Sequence, residues 1–79
     1  MDRKAIFDKV KECILMQLPI GEEWVTEDAR MIEDLGADSA NLMMLIMDLE
    51  TEYDTQVEDE ALGDIKTVGD IVDYISARL

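Results

Sequence analysis

Apolar residues recur with a helical period in three parts of this chain and lose that period between them. Ile6, Phe7, Val10, Ile14 and Leu18 are three and four positions apart, which predicts one buried face of a helix from about Asp2 to Leu18. Asp8, Lys9 and Glu12 fall off that face. Pro19 and Gly21 end the helix, the first by lacking an N–H and the second by its backbone freedom. Val68, Ile71, Val72, Ile75 and Leu79 make an equivalent stripe, predicting a last helix from about Val68 to Leu79. Thr67 is its N-cap, and Asp70 at the third helical position approximates a capping box. The middle helix, Ser39 to Tyr53 with Asp38 as N-cap, carries two stripes. Leu42, Leu45, Ile46, Leu49 and Tyr53 form one, and Ala40, Met43, Met44 and Met47 form another on the opposite side. One stripe is enough to pack a small bundle. The second has no core to enter.

From Ile20 to Asp38 no period dominates, and the stretch is longer than compact domains usually leave unstructured. Ile20, Trp24, Val25, Ala29, Met31, Ile32 and Leu35 predict a loop pinned across the helices, with Trp24 anchoring it on the core. Thr26-Glu27-Asp28 predicts a short helical turn capped by Thr26. After Tyr53, the segment Asp54-Thr55-Gln56-Val57 leaves the helix, and Val57 to Leu62 predicts a short third helix closed by Gly63. Its apolar residues are few (Val57, Ala61, Leu62, then Ile65), so its hold on the domain is weak and movement is expected there. The sum is an all-α fold: a small four-helix bundle of three longer helices and a short third one, with a long loop between the first two. Residues 1–79 form a single domain on this reading.

Composition narrows the function. With 79 residues the chain builds one small core. Cys13 is the only cysteine and there is no His, so neither a disulfide staple nor a metal site is expected. Twenty Asp and Glu against seven Lys and Arg give a formal charge of −13. That charge excludes nucleic acid and anionic membranes as partners and favours basic protein surfaces. A hydrophobic fraction of 48% with clear periodicity argues against disorder. No apolar run spans a membrane, and the N-terminus has charges throughout rather than a signal-peptide core. A cytoplasmic monomer is the expectation.

The chemistry centres on Asp34-Leu35-Gly36-Ala37-Asp38-Ser39. Ser39 is placed at the positive end of a helix dipole, where a phosphate is held well. Catalysis by Ser39 would need a base, and without His no Ser–His–Asp arrangement exists. Glu58-Asp59-Glu60 lacks the alternating oxygen ligands of a calcium loop and reads as a solvated face. The chain is not expected to be an enzyme. What remains is a serine on which other enzymes act.

That six-residue run resembles the attachment motif of the acyl carrier proteins. Met47, Leu49-Glu50 and Glu52-Tyr53-Asp54-Thr55 resemble the family's second helix and its exit, and Thr67-Val68-Gly69-Asp70 and Asp73-Tyr74-Ile75 its last helix. The resemblance implies that a phosphopantetheinyl transferase, using coenzyme A and Mg²⁺, places 4′-phosphopantetheine on Ser39. The thiol of that arm would carry acyl chains as thioesters, in fatty-acid synthesis or a specialised polyketide or lipid pathway. It also implies a bundle interior able to shelter the chain. The few apolar residues of the third helix predict that it yields and lets the chain slip between it and the second helix. Asp38 caps the helix and would assist transferase and metal recognition. Acyl synthases, reductases and transferases would dock on Asp34, Ala40, Asn41, Met43, Met44, Met47, Asp48 and Glu50.

Three positions depart from the family. It usually has Leu where Ala40 stands, Asp where Asn41 stands and an acidic residue where Met44 stands. Either a specialised partner buries Met43, Met44 and Met47, or the changes are neutral and the remaining acidic residues suffice. Aminoacyl carriers more often read Gly-Gly or Gly-His before the serine, which Gly36-Ala37-Asp38 does not. An unmodified acidic helical interaction module of the same fold is the alternative from another class.

Overall fold

The computed structural model describes residues 2–79, with Asp59 described for its backbone alone. Three α-helices carry the fold: α1 (Arg3–Gln17), α2 (Ser39–Tyr53) and α3 (Val68–Arg78). Their bounds follow from local chemistry. The Asp2 side chain accepts from the Lys4 N–H and starts α1. Asp54 ends α2 in the left-handed conformation, φ 51°, and its N–H returns to the Glu50 carbonyl. Thr67 and Asp70 close the predicted capping box at the start of α3.

The three apolar stripes meet in one core, except that Leu79 lies past the end of α3 and is 52% exposed. Ile6, Val10 and Ile14 of α1, Leu45 and Leu49 of α2, and Val68, Ile71, Val72 and Ile75 of α3 are buried. Helix α1 packs against both others. Its Lys9 ammonium lies 3.4 Å from the Glu52 carboxylate, late in α2. Its Gln17 amide, oriented to satisfy its partners, donates to the Asn41 carbonyl, early in α2, at 3.0 Å. The pair is therefore antiparallel. Cys13 sits at the core edge, 8% exposed, and burial pushes its thiol above the ordinary cysteine value. No helix of the described residues is long and apolar enough to cross a membrane.

The third of the four expected helices is not an α-helix. Asp59–Gly63 forms a 3₁₀-helix, and Gly63 lies inside it rather than beyond it. Val57 and Leu62 are only half-buried against the core, too little apolar surface to fix a full α-turn here. Glu58 and Glu60 are exposed as expected, and the side chain of Asp59 lies outside the described atoms.

The long loop is ordered by pairing with α3. The Met31 N–H donates to the Lys66 carbonyl at 2.9 Å, and the Val68 N–H donates to the Ala29 carbonyl at 3.0 Å. Arg30 and Thr67 form an isolated antiparallel bridge. Arg3 joins the loop to both outer helices by ion pairs to Glu27 and Asp73. Val25, Ala29, Met31 and Leu35 pin the loop as predicted, and Ile20 is half-buried. Trp24 is a correction: it is 59% exposed, and Ile32 is exposed too. The helical turn in the loop falls at Glu22–Trp24, as 3₁₀, four positions before the expected site. Thr26 opens a simple turn, its carbonyl accepting the Ala29 N–H at 3.1 Å.

Gly69 is demanded by that pairing. Its N–H donates to the Glu27 carbonyl at 2.9 Å, and a Cβ would stand 3.0 Å from the same oxygen. Gly69→Val should cost about 1–3 kcal/mol by overpacking, seen as a lower urea midpoint at unchanged slope.

The Asp70 carboxylate accepts from the N–H groups of Lys66 (3.0 Å) and Thr67 (3.1 Å). These bonds hold it below the ordinary aspartate value of 3.8. A depressed folded-state value contributes stability above the unfolded value and loses it as pH falls through the folded one. The stability advantage over Asp70→Asn should thus be full at pH 7 and shrink below about pH 4. Urea melts of both proteins across that range check it, and a constant gap would refute it.

Candidate functional site: the start of α2

The chain approaches α2 through a tight turn. Both the Asp34 and the Leu35 N–H donate to the Arg30 carbonyl, at 2.9 and 3.1 Å. Gly36 follows with φ 75°, a backbone state that a side chain would strain. Ala37 then dips into the core, 3% exposed, and its N–H donates to the Met31 carbonyl at 3.0 Å. Asp38 and Ser39 emerge again, both exposed. The alternation of buried Leu35 and Ala37 with exposed Asp38 and Ser39 aims the serine outward.

A capping box fixes the first turn. Asp38 Oδ1 accepts the Asn41 N–H at 2.8 Å, and Asn41 Oδ1 accepts the Asp38 N–H at 3.2 Å. The sequence marks the cap but misses its partner, although the spacing of Asp38 and Asn41 is that of a capping box. The Leu42 N–H completes the turn on the Asp38 carbonyl. The N–H groups of Ser39 and Ala40 have no acceptor among the described residues. An exposed hydroxyl thus stands beside two free donors at the positive end of a helix of 15 residues. The site suits a phosphodiester on Ser39 Oγ. Asp38 Oδ1 is committed to the Asn41 N–H.

The expected docking residues separate into three groups. Ala40, Met43, Met44, Met47 and Asp48 are exposed, with the three methionines 49%, 55% and 56% exposed. Asn41 is half-buried and serves the capping box. Asp34 and Glu50 have partners within the chain. The Asp34 carboxylate accepts the Arg30 N–H at 2.8 Å and faces its guanidinium. Those contacts, the backbone N–H foremost, hold Asp34 below the ordinary aspartate value. Half-buried Glu50 accepts the Val57 N–H at 2.8 Å.

Residues 8–75 match the family model described as the phosphopantetheine attachment site. The acyl carrier protein of Thermotoga maritima is 51% identical over 98% of this chain and 95% of its own length. That of Wolinella succinogenes is 45% identical over 94% of this chain and 97% of its own. A solved structure of the acyl carrier protein from Enterococcus faecalis superposes with a TM-score of 0.81 at 36% identity, covering 98% of each chain. Fold and site thus define a phosphopantetheine-attachment domain. Within that class, the chain belongs to the acyl carrier protein family.

Proposed function

We propose that Ser39 is the residue that holds the covalent 4′-phosphopantetheine of this acyl carrier, and that its Oγ is the atom a phosphopantetheinyl transferase esterifies. The observation that carries this reading is the exposed Ser39 beside the free N–H groups of Ser39 and Ala40. Those donors and the helix dipole would offset the charge of the phosphodiester in a chain already at −13. Asp38 holds the turn open toward solvent through Asn41 and presents its carboxylate beside the serine for transferase and Mg²⁺ recognition. When bound, the arm supplies a thiol that carries acyl groups as thioesters. The chain itself supplies position, exposure and a docking face, and its role is that of a carrier rather than a catalyst. We place it in the cytoplasm, serving fatty-acid or related lipid synthesis.

Incubation with coenzyme A, Mg²⁺ and a broad-specificity transferase tests the site. The protein should gain one phosphopantetheine by mass, and fragmentation should map it to Ser39. No gain with several transferases, or a gain elsewhere, overturns the assignment.

The methionine face is read as the surface for a partner that buries Met43, Met44 and Met47. Their joint exposure on α2, with Met44 where the family resemblance expects an acid, supports this over ordinary charge pairing alone. Met adapts its shape to such surfaces. Full burial of one Met is worth about 1.5–3 kcal/mol. Met44→Glu should therefore weaken binding to the cognate synthase about tenfold or more. Titration calorimetry that finds the same Kd would sink the apolar-face reading.

A further inference from the structure

Glu50 bonds the segment after α2 twice over. Its carbonyl accepts the N–H groups of Asp54 and Thr55, and its carboxylate accepts the N–H of Val57. Beyond Val57 the chain enters the 3₁₀-helix, whose own bonds are local: Ala61 N–H to the Glu58 carbonyl and Asp64 N–H to the Ala61 carbonyl. Two open clefts of about 480 Å³ adjoin this segment, and Gln56 lines both. One cleft includes Val57, Glu58 and Glu60, and the other Met47, Asp48 and Asp54. Glu50, which bonds Val57, lines both. Val57 and Leu62 lie half-buried against the core.

We propose that the Glu50 carboxylate is a latch that holds residues 55–63 against the bundle and sets the cost of admitting an acyl chain beneath them. The proposal rests on the carrier function, and it assigns to one side chain the control of access to the core. Ser39 and Glu50 are eleven positions apart on α2, about 16 Å along its axis. A pantetheine arm bearing a medium-length acyl chain spans that distance. The chain needs cover from water, and the nearest thinly held cover is the segment that Glu50 fastens. Entry lifts Val57 from the core and breaks its bond to the carboxylate. Glu50 thus acts as a positioning residue for this segment.

The test compares Glu50→Ala, which removes the acceptor, with Glu50→Gln, which removes the charge but keeps an acceptor oxygen. In the unloaded protein, amide exchange at Val57, Ala61 and Asp64 should rise about tenfold or more in the Ala variant. It should stay near the native rate in the Gln variant, with Ile75 in α3 unchanged in both. After loading with an octanoyl thioester, confirmed by mass, the gain in Tm over the unacylated holo protein should be larger in Ala than in wild type and native-like in Gln. Equal exchange in Ala and wild type overturns the latch, as does an equal Tm gain. Gln behaving like Ala also overturns it, because charge rather than the bond would then be at work. Failure to load at all would show in the mass and would count against the Ser39 assignment instead. The exchange measurement needs no loading and separates the two.

Discussion

Ser39→Ala should give a protein that folds as before and accepts no phosphopantetheine. The two halves of that outcome have separate causes. The fold survives because the box at the start of α2 runs between Asp38 and Asn41, and the Ser39 hydroxyl takes no part in it. Exposed substitutions outside such networks usually change stability by less than about 0.5 kcal/mol, so Tm should be native within a few degrees. Loading is lost because the attacked oxygen is gone, and no other hydroxyl occupies the first turn of α2. Intact mass after transferase treatment reads the second half and a thermal melt the first. A variant that still gains mass would move the attachment elsewhere. A variant that melts far lower would mean that Ser39 supports the helix as well.

Ile71→Ala should produce the opposite pattern. Ile71 is 0% exposed, in α3, the helix that packs against α1. Removing its outer carbons forfeits transfer energy and leaves a cavity, together about 2–5 kcal/mol. A domain of this size has only about 4–12 kcal/mol in all. Each kcal/mol moves Tm by roughly 4–8 °C at this length, so a fall of more than about 10 °C is expected. The folded fraction should still be loaded at low temperature, since Ile71 lies outside the turn that presents Ser39. A melt by circular dichroism with parallel loading at 10 °C checks both statements. A Tm within a few degrees of native would show that α3 closes around the missing atoms.

The helices and the serine were legible because their signals are local. Apolar spacing fixed the stripes of α1, α2 and α3, and the cap residues Asp38 and Thr67 sit at the helix starts as expected. The loop was only half legible. Val25, Ala29, Met31 and Leu35 enter the core, but Trp24 and Ile32 face water. What orders the loop is a pairing with residues 66–69, some forty positions away, and no periodicity reports such a contact. The expected third α-helix failed for a related reason. Its sequence has an end signal in Gly63 and too few apolar side chains to decide between an α and a 3₁₀ turn. At the site, exposure of Met43, Met44 and Met47 was readable as a face without a core. The internal bonds of Asp34 and Glu50 were not, because a carboxylate looks the same in sequence whether it meets a partner enzyme or its own backbone.

One hydrogen-bonded residue has a consequence for how much of the chain is needed. Met31 gives its N–H to Lys66 and takes the N–H of Ala37 on its carbonyl. The seat of Ser39 is therefore two hydrogen bonds from the start of α3. A short peptide cut from α2 would keep the recognition sequence and lose this seat. A chain truncated before Lys66 would lose it equally, although α2 itself were whole. Because α1 is the helix that packs against both α2 and α3, the smallest unit that presents Ser39 as the domain does is the whole bundle, which makes this chain a poor source of short labelling tags and a compact one for fusion as a whole.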